Sequence, residues 1–304
     1  MTINSPKRRG LIWQLVAYLV AGGAALSVVS LALSMEPPSG LPSDWWPWVA
    51  IGLADLVGTL IIFAFSVGLN NSSMYDPYWS VAPVPIAAYW LLEGGDVSVR
   101  GWIVMAAVLL WGGRLTYNFL RGWPGLHHED WRYVDFRSST GRAYWLVSFL
   151  GIHLFPTILV FMGCLSLAPA MSGGSPLGLL DIVASVVTFG AIAVEATADR
   201  QLRDFVCSRP PAGALLSTGL WGRSRHPNYL GELSFWWGLF LFALAAGGGA
   251  WPVVLGPVAM TLLFGGVSIP LIERRMRARR LGWDEYCAQV PILVPVPGRS
   301  YSND

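Results

Sequence analysis

Eight apolar stretches recur along this chain, most of them close to the length that a bilayer demands. A helix needs roughly 20 mostly apolar residues to cross the hydrocarbon core. Residues 11–33 form the first stretch and 46–69 the second, where Trp45, Trp46 and Trp48 make an interfacial aromatic belt. Residues 79–92 are a short, Pro-broken third; 102–120, 144–167 and 177–196 follow. Residues 231–246 and 251–272 close the series, joined by Gly247-Gly248-Gly249. The pattern predicts an all-α, polytopic membrane bundle of seven or eight transmembrane helices, the short third stretch leaving seven open. Only 12% of the residues are charged, against about 25% in a soluble domain. A net charge of +2 is too small for a phosphate-backbone binder, so no nucleic-acid partner is expected.

Basic residues orient the bundle. Lys7, Arg8 and Arg9 precede the first stretch, which is too long for a signal-peptide core and lacks a clear cleavage site. The positive-inside rule puts this end in the cytoplasm. Eight spans then return the C-terminus to the same side, with residues 70–78, 121–142 and 198–230 also inside. Those segments hold nearly every Arg, and Arg100 is the exception. Both termini are expected to be cytoplasmic, with the polar chemistry on that face. Residues 1–304 read as one membrane domain without an obvious repeat. Cys164, Cys207 and Cys287 are widely spaced and suggest neither a disulfide framework nor a metal site.

Polar residues cluster in three places. Glu195, Asp199 and Arg203 recur at i, i+4 and i+8 and so share one helix face. A solvated helix end is the plainer reading of that face alone. The string Ser224-Arg225-His226-Pro227-Asn228-Tyr229-Leu230-Gly231-Glu232 is harder to explain as packing. Pro227 ends any preceding helix, and a helix start beside Arg225, His226 and Asn228 suits an anion. In the N-terminal half, residues 70–80 are unusually polar and aromatic between two apolar runs, and Tyr117, Asn118 and Arg121 close the fourth. Asp55 lies inside the second span, where an ionisable group is costly and usually functional. The run His127-His128-Glu129-Asp130 makes a poor tetrahedral site and reads as a cytosolic loop.

The Arg-His-Pro-Asn-Tyr-x-Gly-Glu string, the upstream Glu195/Asp199 face and the closing Tyr286-x-x-x-Val290-Pro291 segment together resemble the steroid 5α-reductase family. They resemble more closely its DUF1295-type bacterial branch, over most of residues 70–295. The resemblance implies an NADPH-dependent reductase in a bacterial inner membrane. Such an enzyme transfers a hydride to the conjugated C=C of an enone lipid, a 3-oxo-Δ4-steroid or a similar sterol or isoprenoid. It implies a substrate site in residues 1–142 and an NADPH site in residues 143–304.

The resemblance also assigns residues. Asn228, Glu232 and Asp199 take up the family's cofactor contacts, with Arg203 beside them. Glu195 stands where the family has an Asn. Arg225, His226, Tyr229, Tyr286, Asn118 and Arg121 are counted with them, and Arg274 and Arg275 suit phosphate by their bidentate guanidinium geometry. The family engages the substrate carbonyl with an acid and a tyrosine. Asp76 fits the acid, Asp55 is the second choice, and Tyr75, Tyr78 or Tyr117 would serve as the tyrosine. Methyltransferases of the isoprenylcysteine carboxyl type share Arg225-His226-Pro227, Tyr229 and Gly231, so S-adenosylmethionine is the alternative cofactor. A transporter or scaffold without cofactor is the third reading.

Overall fold

The computed structural model describes residues 5–93, 95, 98–249, 251–297 and 301, and among these all regular structure is helical. The helices are α1 (Ser5–Leu33), α2 (Trp46–Gly68), α3 (Tyr78–Val81), α4 (Pro83–Glu93), α5 (Val99–Gly122), α6 (Trp131–Thr140) and α7 (Tyr144–Val147). A π-helical turn, Ser148–Leu154, runs into α8 (Phe155–Cys164), followed by α9 (Leu167–Ser172) and α10 (Leu179–Cys207). The last are α11 (Pro227–Ala245), α12 (Leu255–Leu263), α13 (Ile269–Arg279) and α14 (Trp283–Gln289). Lipid offers no partner to a backbone N–H, so helices that satisfy their own backbone are the expected solution.

Among the described residues, six helical stretches are long and apolar enough to cross a membrane: Pro6–Leu33, Ser43–Gly68, Val99–Gly122, Trp131–Ser172, Leu179–Cys207 and Leu255–Arg279. The two other stretches of the sequence pattern are not among them. The third is split into α3 and the 11-residue α4, because Pro83 and Pro85 each lack an N–H to continue a ladder. The seventh is α11, whose 19 residues include Asn228 and Glu232.

The chain forms two compact units, Met1–Tyr89 with Trp111–Cys164, and Trp90–Leu110 with Leu165–Asp304. In the first, Ala17, Ala21, Ile62, Met74 and Tyr75 share a core. Gln14 Nε2 and Tyr18 Oη donate to the Met74 carbonyl at 2.7 and 3.1 Å, pinning the turn that follows α2.

In the second unit, α10 presents Ala184, Thr188, Ala191, Glu195 and Ala198 along one buried stripe to α11. Gly231 and Gly238 let the two axes approach. A Cβ on Gly231 would lie 2.6 Å from the Cβ of Glu195, and one on Gly238 would meet the Thr188 hydroxyl. Arg100, the exception to the charge bias, is 1% exposed and does not act as a loop charge. Its Nε and Nη2 donate to Asp181 at 2.6 and 3.1 Å, and its remaining donors reach the carbonyls of Ser175, Pro176 and Ala245.

Candidate active site

The polar stretch after α2 folds as a turn because Asn71 accepts from the Ser73 N–H at 2.9 Å. The Asn71 amide donates to the carbonyls of Leu126 and His128, both at 2.9 Å. Glu129 accepts from the Ser72 N–H at 2.7 Å, and the Asp130 N–H donates to the Ser73 hydroxyl at 3.0 Å. Two loops distant in sequence thereby close one wall of a cavity of about 210 Å³ lined by Asp76, Asn118, Phe119, Trp123, His128 and Asp130, among others. Phe119 and Trp123 are stacked at 5.5 Å.

Asp76 is a half-buried carboxyl on the wall of this cavity. Burial pushes its carboxyl up to about 7, while the hydrogen bond from Tyr133 and the charge of Arg132 hold it back in part. Tyr133 Oη donates to Asp76 Oδ1 at 2.6 Å. Asp130 caps α6, accepting from the Arg132 N–H at 2.9 Å and pairing with its Nε at 2.8 Å.

The tyrosines expected from the sequence go elsewhere. Tyr78 Oη donates to Asp55 Oδ1 at 2.8 Å, so this tyrosine pairs with the second-choice acid in α2 rather than with Asp76. Gly58 makes room for that hydroxyl, which a Cβ would strike. Tyr75 Oη bonds Thr157 at 2.8 Å. Tyr117 is 58% exposed and does not line the cavity, whereas its neighbour Asn118 does. Arg121 is exposed, and its carbonyl accepts from Lys7 Nζ at 2.8 Å. Tyr133 went unread in the sequence because it sits in the first turn of the polar α6, and nothing local marks its hydroxyl as turned toward residue 76.

The second unit gathers the other expected residues at one helix start. The Arg225 and His226 N–H groups donate to the carbonyls of Pro291 and Ile292 at 2.9 and 3.1 Å, so the closing segment holds this string extended. Their side chains share one oxygen: Arg225 Nε and His226 Nε2 each lie 3.1 Å from Glu273 Oε1. His226 stacks on Tyr229 at 5.4 Å, and Tyr229 packs edge-on against Phe264. Glu273 is thus the hub of the cluster. The sequence showed it only as the head of a basic run.

Glu195 is buried under Gly231, and buried Glu232 accepts from Trp236 Nε1 at 2.8 Å. Asp199, Arg203, Asn228 and Arg275 are half-buried, and Arg274 is exposed. Tyr286 Oη donates to the Trp221 carbonyl at 2.5 Å, and burial raises its pKa above the ordinary tyrosine range. Its position holds the turn before Arg225 in place. The N-cap residue His226 does not cap α11 with its side chain, and a helix N-terminus flanked by Arg, His and Asn suits an anion.

A family model described as "Protein of unknown function (DUF1295)" matches residues 62–290. The uncharacterized protein C594.04c of Schizosaccharomyces pombe is 29% identical over 223 residues, 65% of this chain and 64% of that protein. This chain therefore spans 64% of the length of that curated relative. No solved structure matches the chain.

Proposed function

The chain belongs to the DUF1295 family, and from that premise we propose that it is an NADPH-dependent membrane reductase. Its substrate would be an enone lipid, a 3-oxo-Δ4-steroid or a similar sterol or isoprenoid, reduced at the conjugated C=C. The observation that carries the reading is the Asp76–Tyr133 pair on the cavity wall, 2.6 Å apart, with Asp76 pushed up to about 7. A carboxyl that keeps its proton near neutrality can donate to a ketone oxygen and stabilise the enolate that develops there. Tyr133 orients that carboxyl. A cavity of about 210 Å³ holds the carbonyl end of such a lipid, since whole drug-sized ligands need roughly 300 Å³ or more.

The donor set of the second unit fits a dinucleotide. Arg203, Arg274 and Arg275 would hold phosphates. Asn228 and the head of α11 would take a further anionic oxygen. Asp199 would accept from a ribose hydroxyl, with Glu195 buried behind it under Gly231. When bound, NADPH supplies the hydride. In this reading the cavity faces the cytoplasm of a bacterial inner membrane. Lys7 bonds the end of α5, which places the basic N-terminus at the cavity's end of the first unit.

Ligand-dependent stabilisation separates this reading from its methyltransferase alternative, because a true ligand raises apparent stability. NADPH is expected to raise the Tm of the purified protein, less so in Asn228→Ala and in Arg274→Ala. Stabilisation by S-adenosylmethionine and not by NADPH would turn the assignment to a methyl transfer.

A further inference from the structure

The cavity reading leaves unused a row of buried polar groups in the first unit. Tyr144 Oη donates to Glu129 Oε1 at 3.1 Å. Ser72 Oγ lies 2.6 Å from Tyr144 Oη and 2.9 Å from Ser148 Oγ. His153 Nδ1 lies 2.9 Å from the Ser148 carbonyl and 3.5 Å from the Ser148 hydroxyl, and Nε2 lies 3.0 Å from Ser66 Oγ. Ser66, Ser72, Ser148 and His153 are each at most 1% exposed, and Tyr144 is 2% exposed. Glu129, at the outer end, is half-buried in the loop and paired with Arg137 at 3.2 Å.

The hydrogens of this row order themselves. Tyr144 has one hydrogen and gives it to Glu129, so Ser72 donates to Tyr144 and Ser148 donates to Ser72. A carbonyl only accepts, so His153 Nδ1 carries a hydrogen and faces Ser148. Every hydroxyl then donates once toward the loop and accepts once from inside, the order in which a proton on Nδ1 of the doubly protonated ring passes outward to Glu129; after that passage every hydroxyl donates inward and the row is set to return a proton from Glu129 to the bared Nδ1. On the far side of the ring, Ser66 can pair with Nε2 in either of its states. With Nε2 bare, Ser66 donates to it. With Nε2 protonated, Ser66 accepts and gives its own hydrogen to the Ile62 carbonyl at 2.9 Å.

The backbone is built to this end. Residues five apart in an α-helix are turned about 140° from each other. The π-helical turn Ser148–Leu154 brings Ser148 and His153 onto one face instead. Polar side chains within spanning helices are costly and mark proton or ligand paths.

We propose that Glu129, Tyr144, Ser72, Ser148 and His153 form a proton path that opens at the polar loop and ends on an imidazole inside the first unit. Enone reduction consumes one proton per turnover in a water-poor bundle, which gives the path a use. That use rests on the reductase reading; the path itself does not.

Exchange of the His153 ring N–H with deuterated water tests the path without cofactor or substrate. Full-length protein in detergent, with isotopically labelled histidine, gives the rate by NMR, the His153 signal being the one missing from His153→Gln. Tyr144→Phe and Ser148→Ala are expected to slow exchange by about tenfold or more, since only rarer openings would then reach the ring. Ser148→Thr keeps the hydroxyl and restores the rate. Thr157→Val removes a hydroxyl bonded to the His153 carbonyl but outside the row, and leaves the rate unchanged. Unchanged or faster exchange in Ser148→Ala overturns the proposal, as does equal slowing in Thr157→Val.

Discussion

In the first unit, Thr59, Ser66, Ser72, Ser148, His153 and Thr157 lie buried and satisfy one another through hydroxyls and one imidazole. In the second, the charges sit near helix ends and pair as ions, Arg100 with Asp181 and Arg225 with Glu273, whose Oε1 also lies 3.1 Å from His226 Nε2. Hydroxyl rows can reorder their hydrogens without moving heavy atoms, so the first unit is arranged to move protons. Ion pairs fix positions and lose much when one partner goes. The second unit is accordingly arranged to hold a helix start and its basic neighbours in a set geometry.

The contrast can be broken at its rigid end first. Arg100→Ala leaves Asp181 buried without its cation and is expected to cost about 3–5 kcal/mol, whereas replacing the pair by Arg100→Met with Asp181→Leu should recover most of it. Denaturation in detergent reads both. Gly231→Ala drives a Cβ into Glu195 and Ala191 and is expected to cost about 1–3 kcal/mol, as overpacking does. Thr157→Val removes a bridge between Tyr75 and Thr59. Its cost should be nearer 1 kcal/mol, the net worth of a hydrogen bond, which leaves the protein folded.

The remaining effect is on pH dependence. Asp76 is pushed from an ordinary 3.8 to about 7, so the folded protein holds a proton that the unfolded chain has released. The stability from this group is full below its unfolded pKa, falls as pH rises, and is lost above about 7. Tm followed across that window should decline by a few degrees, and Asp76→Asn should flatten the decline.

These regions differ in how far the sequence reveals them. Hydropathy found the six long helices because spanning demands a local apolar run, and it found α3 and α4 as a broken stretch because two prolines announce it. The second unit's cluster was legible in part, since Arg225, His226 and Tyr229 lie within five residues of one another. Its partner Glu273 was not, being 47 residues from His226 and hidden in a basic run.

The first unit's row was the least legible. Its members come from three separate segments, and serines in apolar helices carry no signal of their own. His153 offered one clue, an ionisable side chain in the fifth apolar stretch. The same rule singled out Asp55 and should have singled out His153. The π-helical turn that pairs it with Ser148 leaves no mark in a pattern read at helical period. Tyr133 shows the same limit, for the cavity exists only once residues 70–76 and 126–133 are folded together.

In the proposed reaction a protonated Asp76 polarises the conjugated ketone for reduction. The most direct measurement is NADPH consumption by the purified protein against a panel of steroid and isoprenoid enones, with Asp76→Asn in parallel. The account predicts consumption that requires an enone, a saturated ketone as product, and a rate lowered at least about a hundredfold in Asp76→Asn, the scale of a lost acid catalyst. No consumption with any enone, or full activity in Asp76→Asn, would contradict it.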